Sequence, residues 1–233
     1  MPVEISKTIE SMAVAGLHYG AHKAKKSPTT KGYVFGTRGN LEIIDLDKTH
    51  TALERAKEFV RGLGKEGKQI LFVGNKGEAR SAVVSVATSI NQPYVALRWM
   101  GGTLTNFDEI RKRVDKLTDW REQDKKGELA KYTKRERGNM SFTARKLERF
   151  FEGIIEMKAL PSAMIVIDSK KEHAAILEAR AFKIPVVSLS STDCNIRDIE
   201  YPIVGNDKSV PSINLILGEL ASAYREGRGA LEK

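Results

Sequence analysis

A single cysteine, Cys194, cannot pair within its own chain, so no internal disulfide framework holds these 233 residues together. No apolar stretch approaches the roughly 20 residues needed to cross a bilayer, and a membrane-spanning role is not expected. The start of the chain lacks the basic residues, apolar run and small-residue cleavage site of a secretory signal, which points to a reduced, cytosolic setting. The four histidines, His18, His22, His50 and His173, have no HExxH spacing, and one cysteine cannot build a cysteine-based zinc site. The most informative absence is acidic. Between Glu10 and Glu42 there is no Asp or Glu, while Lys23, Lys25, Lys26, Lys31 and Arg38 fall in that window together with His18 and His22.

Across the whole chain 39 Lys and Arg stand against 30 Asp and Glu, a net charge of +9. A basic excess of this size suits a polyanionic partner, although many proteins are basic for no specific reason; distribution has to decide. Segregating cations from acids lets one surface approach phosphates without self-compensation, which is the pattern of the 11–41 window.

From Leu41 onward, short β-branched runs alternate with helical periodicity, the signature of βαβ units and a mostly parallel sheet. Tyr33–Phe35 and Leu41–Ile44 flank the turn-rich Gly36-Thr37-Arg38-Gly39-Asn40 and read as a hairpin leading into the core. Asp47 or Thr49 is expected to cap a helix whose apolar face is Leu53, Ala56, Val60 and Leu63, with Gly62, Gly64 and Gly67 ending it. Strands are expected at 69–73, 94–97, 164–167 and 185–189. Helices are expected after residue 77, over 172–181 and over 210–224. Between them the period changes. Phe107, Ile110, Val114 and Leu117, then Leu147, Phe150 or Phe151, Ile154 and Met157, follow coiled-coil spacings, and the polar stretch 124–139, with Gly127 and Gly138, can turn one arm back on the other. The fold expected is a Rossmann-like α/β core, residues 1–106 and 158–233, with an antiparallel coiled-coil α-hairpin inserted at 107–157. The hairpin is itself basic, though a charge run on a helix is often only a solvated face. Because the chain enters and leaves the hairpin near Asn106 and Lys158, removing residues 108–156 is expected to leave the core folded.

An α/β sheet invites a search for ligand chemistry at the carboxyl ends of its strands. Gly74-Asn75-Lys76-Gly77 could present backbone N–H groups to an anion, yet it carries neither the GxGxxG fingerprint nor a Walker lysine followed by Ser or Thr. Asp168 could hold a ribose or a metal, or simply cap its loop. His18 and His22 could share a metal if that segment were helical, or face RNA or solvent. Cys194 lies next to Asp193, which disfavours a thiolate. No nucleophile, base and oxyanion set emerges, so no catalytic residue, metal or cofactor is expected.

Several motifs are more specific: Ala15-Gly16-Leu17-His18-Tyr19-Gly20, Tyr33-Val34-Phe35-Gly36 leading to Ile43-Ile44-Asp45-Leu46, Ile70 to Gly74, Arg98-Trp99-Met100-Gly101-Gly102-Thr103-Leu104-Thr105-Asn106, and Tyr201 to Asp207. Through them the chain, from about Met12 to Leu217, resembles the family of the second protein of the small ribosomal subunit in its bacterial form. The resemblance implies a Rossmann-like domain with an inserted coiled-coil hairpin and a non-catalytic role. That role is docking on small-subunit ribosomal RNA between head and body, beside neighbouring ribosomal proteins, with recruitment of the large messenger-binding ribosomal protein in bacterial relatives. The location implied is cytoplasmic and ribosome-bound. Within the Arg98 motif, Arg98 offers a forked donor to phosphate, Trp99 a stacking or packing face, and the paired glycines close backbone approach. The expected RNA-binding set is His18, His22, Lys23, Lys25, Lys26, Lys31 and Arg38 from the basic window, Arg98 and Asn106 from the motif, and Arg111 and Lys112 from the hairpin. The chain departs from the family at Ala21 to Thr30, at Ser191 to Arg197 and at Lys208, where it is more basic. The competing readings are an α/β nucleotide- or phosphosugar-binding enzyme using Gly74 to Gly77 and Asp168, and a free-standing regulatory RNA-binding protein.

Overall fold

The computed structural model describes residues 2–229; Met1 and residues 230–233, assigned above to the core, lie outside them. Five strands, β4 (Ile70–Val73), β5 (Tyr94–Val95), β6 (Ala163–Ile167), β7 (Val186–Ser190) and β8 (Tyr201–Val204), form one parallel sheet in the order β5-β4-β6-β7-β8. The central strands β4, β6 and β7 are buried at every position, as a parallel sheet covered on both faces requires. This explains their unbroken apolar runs.

One face is covered by α2 (Leu46–Lys65), α3 (Gly77–Ser89) and α7 (Val210–Gly229), whose buried residues join Met12 and Leu17 in a single cluster. Helix α2 starts earlier than expected, with Asp45 as its cap rather than Asp47 or Thr49. Asp45 is the last extended residue after the preceding strand, so its carboxylate reaches the N–H groups of Asp47 and Lys48. Thr49 instead donates its buried hydroxyl to Val204 O at 2.7 Å. Gly62 and Gly64 lie inside α2 and do not end it; the left-handed residue after its end is Gly67, φ 63°. Gly64 has a packing role, because a Cβ there would sit 2.3 Å from Tyr224 O, and one at Gly227 would sit 2.2 Å from Arg61 O. Each glycine lets α2 and α7 approach backbone to backbone.

A second, antiparallel sheet of β1 (Tyr19–His22), β2 (Val34–Arg38) and β3 (Leu41–Ile44) has the order β1-β3-β2. The expected hairpin is β2–β3, but it belongs to this separate sheet instead of entering the main one. Strand β1, helix α1 (Pro2–Val14) and strand β8 carry weak periodicity and were not anticipated.

The other face of the main sheet holds α6 (His173–Ala181), Ile44, Trp99, Leu104 and the root of a helical pair, α4 (Phe107–Lys125) and α5 (Lys134–Phe151). The pair runs antiparallel: Arg111 donates to the carbonyls of Ile155 and Met157, and Arg121 is paired with Glu148. Its turn uses Gly127 at φ 74° and a capping box between Thr133 and Glu136, whereas Gly138 lies within α5. Ile110, Val114, Phe151, Ile154 and Met157 are part of the sheet's own apolar cluster. The root of the hairpin is therefore core, and excision of residues 108–156 would strip one face of the sheet.

Candidate nucleic-acid interface

The acid-free window is fixed to the sheet by one residue. Thr192, immediately beyond β7 and its flanking Ser191, accepts from Ser27 N and from the Thr30 hydroxyl on its carbonyl, both at 2.8 Å, and from Ala21 N on its own hydroxyl at 2.9 Å. Thr30 is fully buried in the process. Gly20 has to be glycine here, since a Cβ would lie 2.9 Å from Thr192 Cγ2 and 3.0 Å from Glu42 O. Two short 3-10 turns, Lys23–Lys25 and Pro28–Tyr33, are capped by His22 and Ser27. Their backbone is anchored while His22, Lys23, Lys25, Lys26 and Lys31, with Arg38 on β2, remain exposed.

His18 is half-buried, stacks on Tyr19 with ring centroids 4.0 Å apart, and precedes a strand. The helical spacing that would have let His18 and His22 share a metal is thus absent. The Nδ1 of His18 has no partner, whereas His22 Nδ1 accepts from Ala24 N.

The Arg98 to Asn106 segment wraps around a residue that its own sequence does not contain. Glu178, on α6, accepts hydrogen bonds from Trp99 Nε1 (2.8 Å) and Gly102 N (2.9 Å) on one oxygen. Its other oxygen accepts from Leu104 N (2.9 Å), Thr105 N (3.1 Å) and the Thr105 hydroxyl (3.2 Å). Burial pushes the Glu178 carboxyl up, but these donors together outweigh it and hold its pKa below the usual range. Trp99 is buried in the sheet's apolar cluster, so it packs under the hairpin root, while Arg98 and Asn106 stay exposed on the loop. Nothing in the local pattern of α6 marks Glu178, because its partners are more than 70 residues away. Arg111 spends its guanidinium on Ile155 O, Met157 O and Asp115, and Lys112 pairs with Glu109 at 2.6 Å on the surface.

At the carboxyl ends of β4, β6 and β8 the groups considered for ligand binding are engaged with one another. Lys76 Nζ lies 3.0 Å from Asp168 Oδ2 and 3.1 Å from Asp207 Oδ1, and Asn75 N donates to the buried Glu172. Asp207 is nearly fully buried; burial and the Asp168 charge raise its pKa to about 6 against the pull of Lys76. Burial, with Asp168 and Asp207, pushes the Cys194 thiol up to about 12, which makes it inert. Asp168, Cys194 and Asp207 bring potential metal-ligand atoms within 4.8 Å of one another, with Lys76 already supplying positive charge to both carboxylates. A phosphate entering at Gly74 to Gly77 would meet three carboxyl groups and an N–H already donated. That geometry does not favour the nucleotide-binding alternative.

A family model for "Ribosomal protein S2" matches residues 12–227. The chain is 40% identical over 226 residues to the small ribosomal subunit protein uS2 of a Nitratiruptor species, covering 97% of this chain and 85% of the relative. It is 41% identical over 221 residues to the uS2 of Sulfurimonas denitrificans, covering 95% and 85%. For the uS2 of Helicobacter acinonychis the identity is 38% over 226 residues, covering 97% and 92%.

Proposed function

The chain belongs to the ribosomal protein S2 family, and on that premise we propose that it is a structural constituent of the small ribosomal subunit, supporting translation by binding ribosomal RNA and adjacent ribosomal proteins. The observation that carries the RNA reading is the acid-free window: its backbone is locked to the carboxyl end of β7 through Thr192, while its lysines project into solvent. An anchored backbone with free cations positions charge against phosphates without the cost of ordering a loose tail. Within this reading His22, Lys23, Lys25, Lys26, Lys31, Arg38, Arg98, Asn106 and Lys112 face the RNA; His18 and Arg111 act by holding the local backbone. The outer part of the α4–α5 hairpin is a docking arm, and the large messenger-binding ribosomal protein is one partner in reach of the assembled subunit. The place of action is the cytoplasmic ribosome. Among the described residues no helix is long and apolar enough to cross a membrane.

Sedimentation of cell extract on a sucrose gradient, with quantitative mass spectrometry of each fraction, tests the reading. The protein should be stoichiometric in small-subunit fractions. A protein found mainly in the light, ribosome-free fractions would instead be an enzyme or a free-standing RNA-binding regulator.

A further inference from the structure

Phe35 is 81% exposed although it lies in the middle of a β-strand. The pairing explains how. Val34 faces Ile44 and Gly36 faces Ile43, so two steps along β2 answer one step along β3, and Phe35 is the extra residue of a β-bulge with no cross-strand partner. A bulge re-aims the side chain at that point and is commonly found beside functional sites. Here it turns a phenylalanine out to solvent instead of into the apolar cluster that receives its neighbours Tyr33 and Ile44. Full burial of a phenylalanine is worth about 1.5–3 kcal/mol, so this exposure forgoes a stabilisation available to the next residues along the strand.

The surroundings state what the ring is suited to meet. Glu42 is the one acid on the three strands of this sheet, and its side chain is buried. The cations nearest in sequence, Lys31 and Arg38, are exposed. Further along the same sheet Tyr19 is 42% exposed. An aromatic ring projecting from a surface with cations and no exposed acid suits single-stranded nucleic acid: phosphates meet the cations and a base face meets the ring. An acidic protein partner would satisfy the charge but would not need an unpaired ring turned fully outward.

We propose that Phe35 is a stacking platform for an unpaired base of small-subunit ribosomal RNA. This rests on the RNA-binding reading above and adds to it a contact that charge alone does not supply. The lysines of the window set overall attraction to the backbone, whereas stacking selects a place where a base is free.

The test uses the full chain and salt-washed small subunits from which this protein has been removed. Phe35→Ala should weaken rebinding about 5- to 100-fold, the range of one lost base–aromatic stack. Phe35→Trp should bind within about twofold of wild type, and Phe35→Leu should lose as much as Phe35→Ala. Because Phe35 carries no charge, the loss should be the same factor at every salt concentration. Melting temperatures should be unchanged, since the side chain packs against little. A photoreactive phenylalanine analogue at position 35 should crosslink to ribosomal RNA. The proposal is overturned if Phe35→Leu binds like wild type, if Phe35→Ala does, or if the crosslink goes to a protein. If the wild-type chain itself fails to rebind, the RNA-binding reading falls as well, which separates the two failures.

Discussion

At the scale of single residues, the sharpest dependence is that of the Arg98 loop on Glu178. One carboxylate accepts from the indole of Trp99, from the backbone N–H groups of Gly102, Leu104 and Thr105, and from the Thr105 hydroxyl. An amide cannot replace it, because a Gln NH₂ has no lone pair to offer the two N–H groups on its side. Glu178→Gln should therefore destabilise the chain by about 2–4 kcal/mol, the scale of two or more charge-assisted bonds turned into clashing donors. Since the folded carboxyl is held below its ordinary value of 4.5, its stabilising contribution is present above that pH and is lost as pH falls through the folded pKa. Thermal melts from pH 7 to pH 3 should show the gap between wild type and Glu178→Gln closing below about pH 4.5. A constant gap would mean the carboxylate charge is not what holds the loop.

Among the elements, the α4–α5 pair divides into a root and an arm. Ile110, Val114 and Phe151 belong to the cluster that covers one face of the parallel sheet, while the turn at Gly127 and the capping box at Thr133 lie beyond it. Cutting through the root would expose β4 and β6; cutting outside it would not. Replacing residues 119–142 with a short Gly-Ser linker keeps Leu117 opposite Ala144 and Leu147, which line the same cleft between the helices. The shortened chain should keep a single cooperative melt and show reduced incorporation into small subunits. Full incorporation would show that the outer arm is dispensable for docking.

For the molecule as a whole, the distribution of charge decides what kind of binding to expect. Lys23, Lys25, Lys26 and Lys31 are exposed on an anchored backbone, whereas Lys76 neutralises Asp168 and the buried Asp207. Neutralising the four window lysines together should weaken binding to depleted small subunits at least tenfold near physiological salt and flatten the salt dependence. Each lost phosphate contact removes about 0.9 from a duplex-like logarithmic slope. Lys76→Ala should lower the melting temperature, by leaving two carboxylates uncompensated, and leave the salt slope unchanged. Binding isotherms across a potassium series for both variants make the comparison. An unaltered slope after loss of the four lysines would place the RNA interface elsewhere.

The parallel sheet, the helical pair, the β2–β3 hairpin and the family were all legible in the sequence. Period and unbroken apolar runs report local burial, and motifs such as Arg98 to Asn106 are locally specific. Helix ends were legible only in part. Asp45 caps α2 because it is where the chain leaves β3, and Gly62 and Gly64 stay helical because α7 packs against that face. The basic window was visible as an absence of acids, and its lysines are exposed as expected. What sequence alone could not decide was which distant groups meet: Thr192 with the window, Glu178 with the Arg98 loop, Lys76 with Asp168 and Asp207. Each joins segments separated by more than 70 residues, and no local propensity encodes such a pairing. The exposure of Phe35 was likewise decided by register, because an apolar residue in a strand is read as core until the pairing shows that a bulge has turned it out.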